Sequence, residues 1–366
     1  MKLSAKFSRI LFLYIFISFS IIGFSQSIQN TPKPVETSQK TDPTNLSKPN
    51  QILLYLIITF SLGLITFAYR EYKLKKSANI DLSLQKNEIE VQKHIVDKRN
   101  RDITDSLNYA RRIQQAILKT SLRLEDYFTE SFILFIPKDI VSGDFYWVKS
   151  KNNKILFAVA DCTGHGVPGA FTSIIGTYGL NNLINESNLT NPGEILNGMN
   201  VLFKNSFCQS EGAEIFDGMD ISLCLYDPVT KELNYSGANL PLHILRKNSK
   251  PQPTSHIVHN DNNYTLYQVK PNKQPIGYIF EDTSYVTHEV KLMEGDILYI
   301  FTDGFADQFG GLYTKKFRYQ ELRQLICSMA KISLQEQVKT LETTFKAWKG
   351  ENIQVDDVSF MGIKIP

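Results

Sequence analysis

Four acidic positions are where this 366-residue chain could do chemistry, because each stands at the end of a short apolar segment. Asp144 lies in Val-Ser-Gly-Asp-Phe-Tyr-Trp, and Asp161 closes the run Ile155–Ala160 ahead of Cys-Thr-Gly-His-Gly. Asp303 follows Asp-Ile-Leu-Tyr-Ile-Phe-Thr and is itself followed by Gly304, while Asp356 and Asp357 precede the last apolar run. A carboxylate set directly against a buried strand is costly unless a cation meets it. No Lys or Arg adjoins the strand-end aspartates, so the expected cation is a metal. An all-oxygen donor set selects a hard ion, Mg²⁺ or Mn²⁺ rather than zinc. One such aspartate alone is commonly a turn or cap residue; the set of four carries the expectation. Asp220, in Asp-Gly-Met-Asp-Ile, reads first as a turn residue before a strand and only second as a further ligand. His256 and His259 form an isolated pair in a polar stretch, without metal partners nearby in sequence.

Gly164-His-Gly166-Val-Pro-Gly169 matches the G-x-G-x-x-G fingerprint of dinucleotide sites. Three features oppose that reading. Asp161 ends the strand where a pyrophosphate would be repelled, and Pro168 occupies the turn into the helix. The helix then runs into Asn-Asn-Leu-Ile-Asn-Glu-Ser, with no second parallel strand bearing a ribose-binding acid.

Around these acids the chain alternates short apolar runs with turns. Strands are expected at Ile155–Ala160, Ile221–Tyr226, Leu233–Tyr235, Leu242–Leu245, Tyr264–Val269, Tyr285–Val290, Ile297–Phe301 and Val358–Ile365. Asp227-Pro-Val-Thr and Glu294-Gly295 read as hairpin turns. Helices are expected at 168–186, 192–207, 319–331 and 334–348, the last opened by a Ser333/Glu336 capping box. Strands in runs, then helices, then one closing strand argue for an α+β fold of antiparallel sheets.

The front of the chain is different. Residues 1–120 hold 18 Lys and Arg against 9 acids, and the remainder 22 against 28, so a nominal +3 conceals a basic front and an acidic body. Lys2, Lys6 and Arg9 precede the apolar run 10–24, a pattern for a signal peptide over 1–25 or else an uncleaved first anchor. Residues 26–50 are polar with four prolines, an expected disordered extracytoplasmic linker. Residues 51–69 are uncharged and long enough to span a bilayer, and Arg70, Lys73, Lys75 and Lys76 keep the downstream chain in the cytoplasm. Over 70–120, Leu82, Ile89, Val96, Ile103, Ala110 and Ile117 recur every seven residues, with a polar companion seam of Lys86, Lys93, Asn100 and Gln114 broken by Leu107. This reads as a helical linker forming a weak parallel coiled coil and a homodimer; the alternative is one helix packing on the following domain through Leu107, Ile113 and Ile117. The four cysteines, all after the span, read as free core thiols. An acidic body excludes nucleic acid as a partner.

Gly143-Asp144-Phe145, Ala160-Asp161-Cys-Thr-Gly-His-Gly-Val-Pro-Gly-Ala, Thr302-Asp303-Gly304 and Asp356-Asp357-Val-Ser together resemble the PPM-type serine/threonine phosphatases, most closely the bacterial SpoIIE-like branch of sigma-factor regulators. The resemblance covers residues 121–366 and extends to Leu107-Asn-Tyr-Ala-Arg-Arg-Ile-Gln-Gln-Ala-Ile. It implies a β-sandwich of antiparallel sheets flanked by helices, with two Mn²⁺ or Mg²⁺ ions activating a water for in-line attack on phosphorus. By the same resemblance Asp161 bridges the ions with help from the Cys162 backbone carbonyl, and Asp144, Asp303 and Asp356 complete the ligand set. Asp357, where relatives often have asparagine, Gly304 and Gly164 would stand behind the ligands. Cys162 occupies a place often held by glycine, and only its carbonyl is required. His165 lies four residues after Asp161, not two as in eukaryotic relatives with a proposed general acid, so a catalytic role competes with a loop-packing one. A counterpart of those relatives' phosphate-binding arginine is not seen. The implied protein is an inner-membrane phosphatase with a cytoplasmic catalytic domain, acting on a phosphorylated regulatory protein such as a STAS-type anti-sigma-factor antagonist. The rival reading is a catalytically inactive scaffold that binds a phosphoprotein.

Overall fold

The computed structural model describes residues 48–118, 123–207, 217–253, 255–277 and 283–366. The expected signal peptide and most of the expected linker lie outside the described residues. The chain divides into two compact units, 1–92 and 93–366.

The described part of the first unit is helix α1 (Lys48–Leu118), which starts here and ends in the second unit. Among the described residues it is the one helix long and apolar enough to cross a membrane, and its richest 18-residue window has a mean hydropathy of 2.2. Thr59 and Thr66 donate their hydroxyls back to the carbonyls of Leu56 and Gly63 at 3.0 and 2.9 Å, so neither exposes an unpaired donor along the apolar stretch. Leu82 and Ile89 of the heptad stripe are exposed.

In the second unit two six-stranded sheets face each other. The first takes β1 (Ser131–Ile136), β6 (Leu242–Lys247), β7 (His256–Asn260), β8 (Tyr264–Val269), β11 (Ile297–Phe301) and β14 (Val358–Lys364) in the order β1-β14-β11-β6-β8-β7. The second takes β2 (Phe145–Lys151), β3 (Lys154–Cys162), β4 (Gly218–Asp227), β5 (Glu232–Ala238) and β10 (His288–Lys291) in the order β10-β5-β4-β3-β2, with the short β9 (Ile276–Gly277) added beside β4. Neighbouring strands in both sheets pair antiparallel. On β3, alternation of side chains sends Phe157 and Val159 into the core between the sheets and Leu156, Ala158 and Ala160 into a core beneath helices. That outer core is closed by α2 (Gly166–Asn185) and α3 (Pro192–Ser206). On the opposite side α5 (Tyr319–Ser328) and α6 (Leu334–Lys349) cover the first sheet, after a one-turn α4 (Gly304–Asp307) and a hairpin of β12 (Phe309–Gly310) and β13 (Lys315–Lys316). The result is a four-layer α-β-β-α sandwich, the α+β antiparallel architecture expected. β3 is buried on both faces, which is why it reads as one apolar run.

Most expected elements are present with ends moved by a few residues, and the Ser333/Glu336 capping box forms, Ser333 N donating to Glu336 Oε2 at 3.0 Å. The strand expected at Tyr285–Val290 is β10, beginning only at His288. The turn at Glu294-Gly295 closes no hairpin: β10 pairs with β5 while β11 pairs with β6 and β14, so the chain changes sheet there. Strands β1, β2 and β7 were not among the expected runs. Cys162, Cys224 and Cys327 are buried free thiols; Cys208 lies outside the described residues. The G-x-G-x-x-G loop does follow a strand and open a helix, but the next described strand, β4, returns antiparallel to β3, so this loop does not open a parallel βαβ unit.

Candidate active site at the joined ends of the two sheets

Strand register brings the acids together. Phe145 pairs with Ala160 and Asp161 with Asp220, so Asp144, Asp161 and Asp220 form a row across β2, β3 and β4. In the other sheet Phe301 pairs with Phe360, which leaves Asp303 just beyond β11 and Asp356 and Asp357 just ahead of β14. The two sheet ends are stitched by Thr302, whose Oγ1 donates to Asp144 Oδ2 at 2.8 Å and accepts from Ser359 N at 3.0 Å.

Asp357 is buried and fully engaged. Its carboxylate accepts from Lys138 N at 2.7 Å and Gly143 N at 2.8 Å, and its own N–H donates to Asp356 Oδ1 at 2.9 Å. It thereby clamps the loop that delivers Asp144 and orients Asp356. Gly304 lies so close to the Asp357 carbonyl that any Cβ would overlap it. Gly164 adopts φ +82°, a conformation that favours glycine, as the loop after Asp161 turns into α2.

The electrostatics are those of a crowded set of like charges. Burial pushes the Asp144 carboxyl up to about 8 against the pull of the Thr302 hydroxyl, and the charges of Asp357 and Asp356 add to the rise. Asp161 is raised well above the carboxylate range, by burial first and then by Asp144, Asp303, Asp356 and Asp220. Asp303 reaches about 6 through burial and Asp356, and Asp220 about 6 through burial despite a 2.9 Å hydrogen bond from Asn239. Asp356 is raised by burial, partly offset by the Asp357 N–H. Among the described residues none of these five carboxyls pairs with a Lys or Arg, and no three His, Cys, Asp or Glu side chains are gathered into a ready-made cage for an ion. Oxygen donors of one sign, in one electrostatic field and without a Lys or Arg ion-paired to them, fit a hard divalent ion. Cys162 buries its thiol in the core under α2 and α3, where desolvation raises it.

His165 sits at the start of α2, half exposed, with Nδ1 3.0 Å from Asp139 Oδ2. It lies near enough to Asp356 to favour that carboxylate. Four residues at the site carried only a weaker reading, or none, from sequence. Asp220 is inside a strand opposite Asp161, not in a turn. Thr302 stands within a quoted motif without a role of its own, and Asp139, four residues ahead of Gly143, carried no signal. Gln114, assigned to the polar companion seam of the heptads, is buried: its Nε2 donates to Ser142 O at 2.6 Å and Ser173 Oγ at 3.0 Å. The end of α1 is thus fastened beside the Asp144 loop by an amide, while Ile113 and Ile117 stay exposed.

Residues 151–366 match the family described as Stage II sporulation protein E (SpoIIE). Among solved structures, the SiaA-PP2C domain of Pseudomonas aeruginosa aligns at 28% identity and TM-score 0.62, covering 73% of this chain and 98% of that one. The RsbU and RsbW domains of a Mycobacterium tuberculosis protein align at 17% identity and TM-score 0.47, covering 64% of this chain and 60% of that one. The PP2C phosphatase domain of SpoIIE from Bacillus subtilis, with a fragment of its regulatory domain, aligns at 17% identity and TM-score 0.47, covering 64% and 62%. No curated protein matches the chain.

Proposed function

The chain belongs to the SpoIIE family and carries a serine/threonine phosphatase domain of the PP2C type, and from that premise we propose a membrane-anchored, metal-dependent phosphatase acting on a cytoplasmic regulatory protein. The observation that carries the reading is the meeting of Asp144, Asp161, Asp303 and Asp356 at the joined sheet ends, tied by Thr302 and Asp357. Asp161 with the Cys162 carbonyl, Asp144, Asp303 and Asp356 would hold two Mn²⁺ or Mg²⁺ ions. Such ions, when bound, stabilise phosphoryl charge and make water nucleophilic near neutral pH. The chain's own residues do the rest. Asp357 fixes the loop behind Asp144, Thr302 holds the Asp144 carboxyl, Gly304 allows close backbone approach, and Gly164 supplies the positive φ of the loop. His165, engaged by Asp139 at Nδ1, would hand a proton to the leaving serine or threonine oxygen in this reading.

Residues 121–366 form the catalytic domain in this reading, and 51–69 the membrane span, with the basic residues after it on the cytoplasmic side. The helical linker brings two copies together. The substrate is phosphoserine or phosphothreonine on a regulator of the STAS type, the class implied by the sequence resemblance. The test is phosphate release by the detergent-solubilised full chain, from p-nitrophenyl phosphate and from a phosphoserine protein, with and without Mn²⁺. Turnover should require the metal, and Asp161→Asn should lower it by at least about 100-fold, since losing a direct ligand should exceed the roughly 10–100-fold cost of disturbing a residue behind the ligands. Binding of the phosphoprotein without turnover would support the scaffold reading instead; full turnover by Asp161→Asn would refute the site.

A further inference from the structure

The hairpin that leaves the site is built to hold an apolar tip in water. β12 and β13 pair Phe309 with Lys316 and Gly310 with Lys315. At the tip Leu312 is 97% and Tyr313 81% exposed. The base of the hairpin is firmly seated: Gly311 N donates to Trp348 O at 2.9 Å, and Trp348 Nε1 donates to Gln308 O at 2.9 Å. Phe317 stacks edge-on against Trp348 and Phe305 at 5.3 and 5.1 Å, and Arg318 N donates to Ala306 O at 2.7 Å. A tip fixed this way cannot fold back to bury its side chains. Exposed apolar area of this kind gains free energy only when something covers it.

Charge says what kind of surface covers it. Residues 121–366 carry 22 Lys and Arg against 28 acids, yet this ridge is basic. Lys316 bridges to Asp307 at 2.8 Å, and Asp307 N donates to Asp303 O at 2.9 Å, which places the ridge beside the acid cluster. Lys315 lies over the Tyr313 ring at 5.6 Å, and neither Lys315 nor Arg318 has a carboxylate partner among the described residues. We propose that the hairpin Phe309–Lys316, with the adjoining Arg318, is a docking ridge for the protein substrate, with Leu312 and Tyr313 covering an aliphatic residue and Lys315 and Arg318 facing acidic residues that flank the phosphoserine. The partner is therefore an acidic phosphoprotein surface with an aliphatic residue near its phosphate. This rests on the phosphatase reading above, and adds a specificity element to it.

The full chain in detergent is assayed on two phosphoserine peptides, one with Asp, Glu and Leu around the phosphoserine, the other with Lys and no aliphatic residue, and on p-nitrophenyl phosphate. Wild type should favour the acidic peptide in kcat/KM by about fivefold or more, the scale set by one surface ion pair plus one covered side chain. Leu312→Ser combined with Tyr313→Ser should weaken that preference through KM, and Lys315→Glu should abolish or invert it. Both variants should turn over p-nitrophenyl phosphate as wild type does. Equal use of the two peptides by wild type, or a preference that survives both variants, overturns the docking ridge alone. Loss of p-nitrophenyl phosphate turnover in a variant also overturns it, since the hairpin would then serve the centre itself. No turnover of any substrate by wild type removes the phosphatase reading first.

Discussion

Asp144 is an acid that its surroundings make hard to ionise, and that has a measurable consequence. Its carboxyl stands at about 8 and that of Asp303 at about 6, both above the ordinary value of 3.8, chiefly through burial. The folded state therefore keeps protons that the unfolded chain releases. By linkage, the stability tied to these groups is fully present below their unfolded value and is lost as pH rises through the folded one. In EDTA the thermal midpoint of the catalytic unit should fall between about pH 5 and pH 8, and Mn²⁺ should remove most of that fall by compensating the carboxylates. A midpoint in EDTA that is flat or rises over this interval would contradict the charge assignment. Asp161, in the same cluster, was legible from its place at a strand end. Asp220 was legible only as a second reading behind a turn role, because only pairing across β3 and β4 shows that it faces Asp161.

At the scale of elements, the site depends on strands from two sheets ending together. The crossing between sheets at Met293–Gly295 is held by a buried ion pair. Arg246 on β6 contacts both Asp296 oxygens, Nε at 3.0 and 3.2 Å and Nη2 at 2.6 Å, and also donates to the carbonyls of Pro251 and Lys291. Asp296 in turn accepts from Met293 N at 2.7 Å. All three guanidinium nitrogens are engaged, so removing the carboxylate strands a buried cation. Asp296→Ala should cost about 3–5 kcal/mol in denaturant unfolding; a loss below about 1 kcal/mol would show that the crossing holds itself. The sequence pattern suggested a hairpin at Glu294-Gly295, because turn residues look alike whether the next strand pairs beside the last or moves to the other sheet.

For the whole molecule, the charge division between a basic front and an acidic body corresponds to an apolar helix followed by basic residues and to a domain that gathers carboxylates. The proposed dimer belongs to this scale. Two extra residues inserted at Asn100 would turn the helix by about 200° and break the heptad register. Phosphate release should then change several-fold while the domain's unfolding transition stays in place; unchanged kinetics in an intact dimer would sink the coupling. Motif spacing by itself determined the family, the α+β class and the four strand-end aspartates, since a costly acid at a buried strand end is visible as a local break in apolar pattern. Only the tertiary structure decided that Asp220 joins the acid row, that Thr302 and Asp357 fasten the two sheets, and that Gln114 fastens α1 beside Asp144. Each of these depends on pairing between segments far apart in the chain, and long-range register leaves no mark in the residues of either segment alone.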